Sequence, residues 1–141
     1  MAARIKDLAW AAGFFDGEGS ITLTVSEGKY IRLEVACSQK VQLPLALFER
    51  MFGGSVYGYT PKHGEICFVW KIYGAKGVEF LKELYPYMIV KDADAKEVID
   101  IWESKDCERA IKRHSDRQAV RKKTHLLRAG EEGTENEIHT G

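Results

Sequence analysis

The sequence predicts an α+β fold in which helices cover one face of an antiparallel four-stranded sheet, with further helices at the C-terminal end. Two pairs of segments alternate apolar and polar residues, as hairpin strands do. Other segments repeat apolar residues every three or four positions, which is typical of amphipathic helices. The predicted order is therefore α-β-β-α-β-β-α-α, and the uncovered face of the sheet is the candidate surface for function.

The first predicted helix covers residues 5–16, where Leu8, Ala11 and Phe15 form an apolar stripe and the glycines after it end the helix. A second stripe of the same helix has almost no side-chain bulk. It consists of Ala9, Ala12, Gly13 and Asp16. A stripe of small residues allows another backbone to approach closely, so we expect this face to meet a partner.

The remaining elements follow in order. Residues 20–26 and 30–38 predict the first hairpin, and residues 55–60 and 65–73 predict the second. Helices are predicted over 43–52 (with Leu43, Leu47, Phe48 and Met51 as apolar residues), 75–85 and 92–103. In the last strand, the alternation predicts that Ile66, Phe68, Trp70 and Ile72 face the core.

Charge divides the chain into regions although the formal net charge is zero. The balance excludes a uniformly basic nucleic-acid coat, but residues 109–128 alone carry a net charge of +7. We expect residues 1–104 to form the main domain, residues 105–128 a basic helical extension and residues 129–141 an acidic, disordered tail. The sequence contains no candidate membrane span, and its N-terminus does not resemble a targeting segment.

The three cysteines, Cys37, Cys67 and Cys107, are widely spaced and form no CxxC pair. This spacing favours neither a zinc site nor a disulfide framework, and a reducing compartment fits it best. We expect an intracellular protein.

Two acidic residues stand at the C-terminal end of the first predicted helix, in the run Asp16-Gly17-Glu18-Gly19. The helix dipole already places partial negative charge there, so the carboxylates favour a bound cation. Oxygen ligands without a neighbouring His or Cys point to a hard divalent ion such as Mg²⁺. The alternative is a glycine C-cap with solvated carboxylates and no metal.

Residues 11–19, with the sequence AAGFFDGEG, resemble the LAGLIDADG motif of the homing endonucleases. Acids stand at its sixth and eighth places and glycines at its third and ninth, although Ala11 replaces the leading leucine. The resemblance extends over residues 5–103, because the predicted α-β-β-α-β-β-α order is the half-saddle of that family. A single copy of the motif implies a homodimer whose motif helices pair through Ala9, Ala12, Gly13 and Asp16.

The resemblance also implies a set of site residues. The carboxylate of Glu18 and the backbone carbonyl of Gly17 are expected to bind Mg²⁺, with Mn²⁺ as a substitute. Gln39 at the end of the second strand and Lys91 after the third helix are expected to complete the catalytic set with Glu18. An arginine that some members carry four residues after the glutamine is replaced here by Leu43.

DNA contact is expected from the uncovered sheet face and from the basic extension, whose arginines would touch flanking phosphates. The candidate residues are Ser20, Thr22, Thr24, Ser26, Arg32, Glu34, Ser38, Lys40, Tyr57, Tyr59, Lys71, Tyr73, Arg113, Arg117 and Arg121. Short polar and basic side chains can read base edges in the major groove. For a single alternating strand, simple solvation is the commoner explanation of such residues, and a basic stripe can equally be a solvated helix face.

The resulting hypothesis is a homodimeric endonuclease that cuts a long pseudo-palindromic double-stranded DNA site near its centre. The alternatives are a non-catalytic DNA-binding protein or an intron RNA maturase of the same fold, and a plain dimerisation module without metal or DNA affinity. The resemblance places the protein wherever its target DNA is, in a bacterial cytoplasm or an organelle.

Overall fold

The computed structural model describes the backbone of residues 2–140 and the side chains of residues 4–130. Its elements, in chain order, are α1 (Ala2–Glu18), β1 (Gly19–Ser26), β2 (Tyr30–Gln39), α2 (Leu43–Phe52), β3 (Ser55–Tyr59), β4 (Cys67–Tyr73), α3 (Gly74–Leu84), a 3₁₀ turn (Tyr85–Tyr87), α4 (Asp92–Ser104) and α5 (Cys107–Thr140). The α+β class and the predicted element order are confirmed.

The four strands form one antiparallel sheet in the order β1-β2-β4-β3. Glu27 and Gly28 make the tight turn of the first hairpin, and both have positive φ angles. The register pairs Leu23 with Leu33 and Val35 with Ile72, so these apolar side chains share one face of the sheet. All four are buried beneath the helices. The opposite face, called the outer face below, carries the alternate residues of each strand.

Aromatic side chains dominate the core between the sheet and helices α1, α2 and α3. Phe48, Trp70 and Phe80 form a cluster with ring centroids 5.1 Å to 6.0 Å apart. The indole of Trp70 donates a 2.8 Å hydrogen bond to the carbonyl of Gly53, which ties the end of α2 to the sheet. Gly54 follows with a φ of 81°, and a β-carbon there would lie 2.5 Å from the carbonyl oxygen of Lys71.

The predicted core position of Ile66 is wrong, and Leu43 of the predicted helix pattern is also exposed. Ile66 is 57% exposed because β4 begins only at Cys67, so Ile66 lies in the connection and not in the strand. Leu43 is 65% exposed at the first turn of α2, where Leu45 and Phe48 are the buried residues instead. In both cases the apolar pattern continued one residue or one turn beyond the region that the core covers.

Helix α5 packs along the edge strand β1 and antiparallel to α4, and it buries Ala110 completely. It spans both the predicted basic extension and the predicted tail, so the backbone after residue 128 is helical where the sequence predicted disorder. Lengthening an existing helix costs little, since each added residue also adds a hydrogen bond. The division of the chain into three parts stays a prediction, and the side chains beyond residue 130 lie outside the described residues.

No helix described here combines the length and the apolar content that a membrane crossing requires.

All three cysteines are free, and Cys37 is buried in the core.

Arg113 joins α5 to α4, and its removal is expected to destabilise the fold. Its guanidinium is buried and donates hydrogen bonds of 3.2 Å and 2.7 Å to Asp94. Arg113→Ala should lower the free energy of unfolding by about 2–4 kcal/mol, because truncation leaves a buried cavity and a carboxylate with one partner fewer. The matched change Arg121→Ala, on the exposed part of the same helix, should stay within about 0.5 kcal/mol. Urea unfolding of both variants measures these changes. Equal losses of unfolding free energy in the two variants would contradict the structural role of Arg113.

Candidate catalytic site and nucleic-acid interface

The C-terminal end of α1 passes directly into β1 without a loop. Glu18 is the last residue of the helix and Gly19 the first of the strand. A β-carbon on Gly19 would lie 2.3 Å from the ring of Phe15, so only glycine permits this close connection. The junction leaves the Glu18 side chain exposed at the edge of the outer face. Among the described side chains, none forms a hydrogen bond or ion pair with its carboxylate.

Asp16, one turn before this junction, holds the loop that precedes α4. Its carboxylate accepts hydrogen bonds from the backbone N–H groups of Ile89 (2.7 Å), Val90 (3.3 Å) and Lys91 (3.0 Å). Burial alone would raise the pKa of Asp16, but these three donors and the nearby charge of Lys91 lower it overall. Within its own chain this carboxylate therefore fixes the loop before α4, and its expected place at a facing helix stays a prediction.

The side chain of Lys91 is also held by Asp16. Its Nζ donates a 2.5 Å hydrogen bond to the backbone carbonyl of Asp16, within the last turn of α1. Burial raises the pKa of the Cys37 thiol, while Lys91 lowers it and Glu18 raises it. The hydrogen bond to Asp16 places the amine of Lys91 two residues in sequence from Glu18, at the end of α1. The shared catalytic role of Lys91 and Glu18 stays a prediction.

Gln39, the third predicted catalytic residue, ends β2 at the same edge of the sheet. Gly19 pairs with Cys37, so Gln39 lies two residues beyond the point where β1 begins. Its side-chain oxygen accepts a 3.0 Å hydrogen bond from the backbone N–H of Lys40. The amide nitrogen of Gln39 is a further hydrogen-bond donor.

Asp16→Asn tests the link between α1 and the loop before α4. The amide loses the charge that strengthens three hydrogen bonds, so the free energy of unfolding at neutral pH should fall by about 1–3 kcal/mol. Because the folded pKa of Asp16 lies below its ordinary value of 3.8, its contribution is complete above that value and is lost as the pH falls through the folded pKa. The difference in unfolding free energy between wild type and variant should therefore be full at neutral pH and should shrink as the pH falls below 3.8. A difference independent of pH would contradict this assignment.

The face of α1 that carries almost no bulk matches the predicted stripe only in part, at Ala9 and Gly13. Ala12 is completely buried and belongs to the core, because it lies on the same side of the helix as Phe15. Ala9, Gly13 and Gly17 are exposed, and β-carbons built on the two glycines would meet nothing within 4 Å. We call Ala9, Gly13 and Gly17 the bare face of α1. Trp10, which is 41% exposed, borders it.

Every sheet residue proposed for DNA contact lies on the outer face, as the register requires. On β1 and β2 these are Ser20, Thr22, Thr24, Ser26, Arg32, Glu34 and Ser38, and on β3 and β4 they are Tyr57, Tyr59, Lys71 and Tyr73. Lys40 follows β2 and is exposed. Val69 also lies on this face but is only 6% exposed, so the face has an apolar floor near its centre.

Lys71 and Glu34 form an ion pair at the centre of the outer face. The distance from Nζ of Lys71 to Oε1 of Glu34 is 2.7 Å, and the same Nζ lies 5.9 Å from the ring centroid of Tyr57. Hydrogen bonds to Glu34 and Tyr57 raise the pKa of Lys71. Lys71 is therefore charged at neutral pH and held in one place.

The basic residues of α5 fall into two groups. Arg113 and Arg117 both bind Asp94 of α4, at 2.7 Å and 2.6 Å, so the proposed contact of Arg113 with DNA is corrected to a structural role. Arg117 is half exposed and Arg121 is exposed. Sequence reasoning missed Asp94, because nothing in the helix pattern shows that α5 folds back onto α4.

No group of three or more His, Cys, Asp or Glu side chains suited to a metal occurs within residues 4–130 of the single chain. Glu18 and the adjacent backbone carbonyls are oxygen donors, which fit a hard divalent cation. One chain alone supplies only part of a coordination sphere.

These features define the chain as an α+β protein with a half-saddle sheet, an uncovered polar face and a bare helix ending in a free carboxylate. No family model and no curated protein sequence matches the chain. Solved structures of homing endonucleases do match it. The fold of the chain is that of the LAGLIDADG homing endonucleases, whose solved structures it resembles.

Two of these structures illustrate the match. The homing endonuclease I-CvuI, in complex with its target in the presence of 2 mM Ca, is 27% identical, with a TM-score of 0.58 over 70% of this chain and 69% of that chain. The homing endonuclease I-TnaI is 25% identical, with a TM-score of 0.52 over 67% of this chain and 70% of that chain. The archaeal intron-encoded I-Vdi141I, complexed with DNA, is 17% identical and shows the shared fold.

Proposed function

We propose that this protein is a homodimeric, site-specific DNA endonuclease that uses a divalent metal ion to hydrolyse phosphodiester bonds. One observation carries the proposal. The exposed carboxylate of Glu18 ends the helix that carries the bare face, two residues after the carbonyl that the amine of Lys91 binds and next to the first residue of β1. The similarity to I-CvuI, which was crystallised on its DNA target, supports the same conclusion.

A second copy of the chain is proposed to cover the bare face. Two helices with glycine or alanine at their contact points can approach until their backbones touch. Their common two-fold axis would bring both copies of Glu18 together, because Glu18 ends the helix that carries this face. A homodimer would then complete the oxygen donor set that one chain lacks.

Glu18 and the carbonyl of Gly17 from each chain are proposed to hold Mg²⁺, with Mn²⁺ as a substitute. When bound, such ions activate a water and stabilise charge on the scissile phosphate and the leaving 3′ oxygen. The side chain of Lys91 is proposed to orient water or offset phosphate charge, since Asp16 holds it at the junction. The free amide of Gln39 is proposed to help orient the same water.

The outer face is proposed to lie in the major groove of double-stranded DNA. The ten residues of β2 span about 33 Å, which matches about ten base pairs. Arg117 and Arg121 are proposed to contact flanking phosphates, which position the protein without reading sequence. Two identical subunits would recognise a pseudo-palindromic site and cut near its centre. The protein would act inside the cell, wherever that DNA is.

Incubation with a plasmid library of randomised inserts, in the presence of Mg²⁺, tests the function. Sequencing of linearised molecules should recover one long site with approximate two-fold symmetry. Binding to a recovered site without cleavage under Mg²⁺ or Mn²⁺ would support the non-catalytic alternative. Affinity for a folded intron RNA with none for DNA would support a maturase, and affinity for neither would support a dimerisation module.

A further inference from the structure

The ion pair between Glu34 and Lys71 stands on the two central strands of the sheet, β2 and β4, and faces the same side as the proposed DNA contacts. Both side chains are partly exposed, at 34% for Glu34 and 27% for Lys71. An exposed pair of this kind adds little to stability. Its position therefore suggests a role in recognition.

The two groups retain hydrogen-bonding capacity after they bind each other. A lysine ammonium has three donors, of which Glu34 and Tyr57 accept two. A glutamate carboxylate can accept about four hydrogen bonds, and Lys71 supplies one. Lys71 thus keeps one free donor beside the free acceptors of Glu34. The contact of Lys71 with Tyr57 fixes this arrangement.

A phosphate is an unsuitable partner for this pair. The carboxylate of Glu34 offsets the charge of Lys71 and would repel a phosphate oxygen at the same spot. A base edge in the major groove is a better partner, because it presents acceptors and donors side by side. Lysine pairs with O6 and N7 of guanine, whereas glutamate accepts from N4 of cytosine.

We infer that Glu34 and Lys71 together read one G·C base pair in each half-site, with Lys71 on guanine and Glu34 on cytosine. This inference rests on the proposed function and specifies one position of its substrate. A thymine at that position would instead place its methyl group against charged atoms. Val69, which is only 6% exposed, lies two residues before Lys71 on the same face of β4.

The test is selection of bound duplexes from a DNA library, with Ca²⁺ in place of Mg²⁺, followed by sequencing. The wild type should require G·C at one position of each half-site. Lys71→Met and Glu34→Gln should both relax that same position, each by about 5- to 150-fold, which corresponds to about 1–3 kcal/mol per base contact. Relaxation at different positions, or at none, would overturn the inference.

The double exchange Glu34→Lys with Lys71→Glu provides a sharper comparison. It retains an ion pair and the net charge while exchanging donor and acceptor, so the preferred base pair should invert from G·C to C·G. An unchanged preference would overturn the inference. Lys82→Met with Glu103→Gln, which removes an exposed ion pair on α3 and α4, should change no position. Failure of the wild type to select any site would instead contradict the proposed function, so the two failures are distinguishable.

Discussion

Glu18→Gln is expected to abolish cleavage while DNA binding persists. The change removes one negative charge and one metal ligand from each subunit but keeps the size and exposure of the side chain. Metal ions contribute several kcal/mol to the stabilisation of a phosphoryl transition state, so the cleavage rate should fall by about 10³-fold or more. Single-turnover cleavage of a recovered site measures the rate, and a titration of the same duplex measures the affinity.

The matched control for this result is Glu79→Gln. Glu79 is an exposed glutamate on α3, remote in the chain from the junction of α1 and β1, and its replacement should leave the rate unchanged. Equal rates for wild type and Glu18→Gln would show that this carboxylate does not serve the chemistry. Loss of binding together with cleavage would assign Glu18 to DNA contact instead of metal.

Gly13→Leu is expected to separate folding from dimerisation. A β-carbon at Gly13 meets nothing within 4 Å in the single chain, and leucine favours the helix more than glycine does. The subunit should therefore remain folded by circular dichroism. Two inserted side chains per dimer, at about 1–3 kcal/mol each, should weaken association by roughly 30- to 10⁴-fold and reduce cleavage with it.

Lys76→Leu controls for the added apolar surface in that experiment. It places the same leucine on an exposed position of α3, outside the bare face, and should leave association and cleavage unchanged. Sedimentation velocity of both variants gives the comparison. A Gly13→Leu protein that still associates as the wild type does would contradict the proposed interface.

The alternation of apolar and polar residues was sufficient to predict the strands and the two faces of the sheet. Period-two patterns such as 30–38 have only one orientation that buries the apolar residues, so Arg32 and Glu34 could be assigned to the outer face in advance. The motif run at residues 11–19 was sufficient to single out Glu18 and, through the family resemblance, Lys91.

Contacts between residues far apart in the chain could not be predicted from the sequence. Nothing near Asp16 in the chain indicates that three N–H groups of residues 89–91 will bind its carboxylate. The predicted stripe on α1 wrongly included Ala12, which is as small as the residues of the bare face and which only packing shows to be buried. The partner of Arg113 was missed for the same reason, since Asp94 reaches it only after α5 has folded back.

The central claim is that two chains, joined through the bare face of α1, act on one duplex. Native mass spectrometry of the protein bound to a recovered site in Ca²⁺ tests it directly. The account predicts two chains of 16.0 kDa on each duplex for the wild type. A complex with a single chain that nevertheless cuts both strands when Mg²⁺ is added would contradict it.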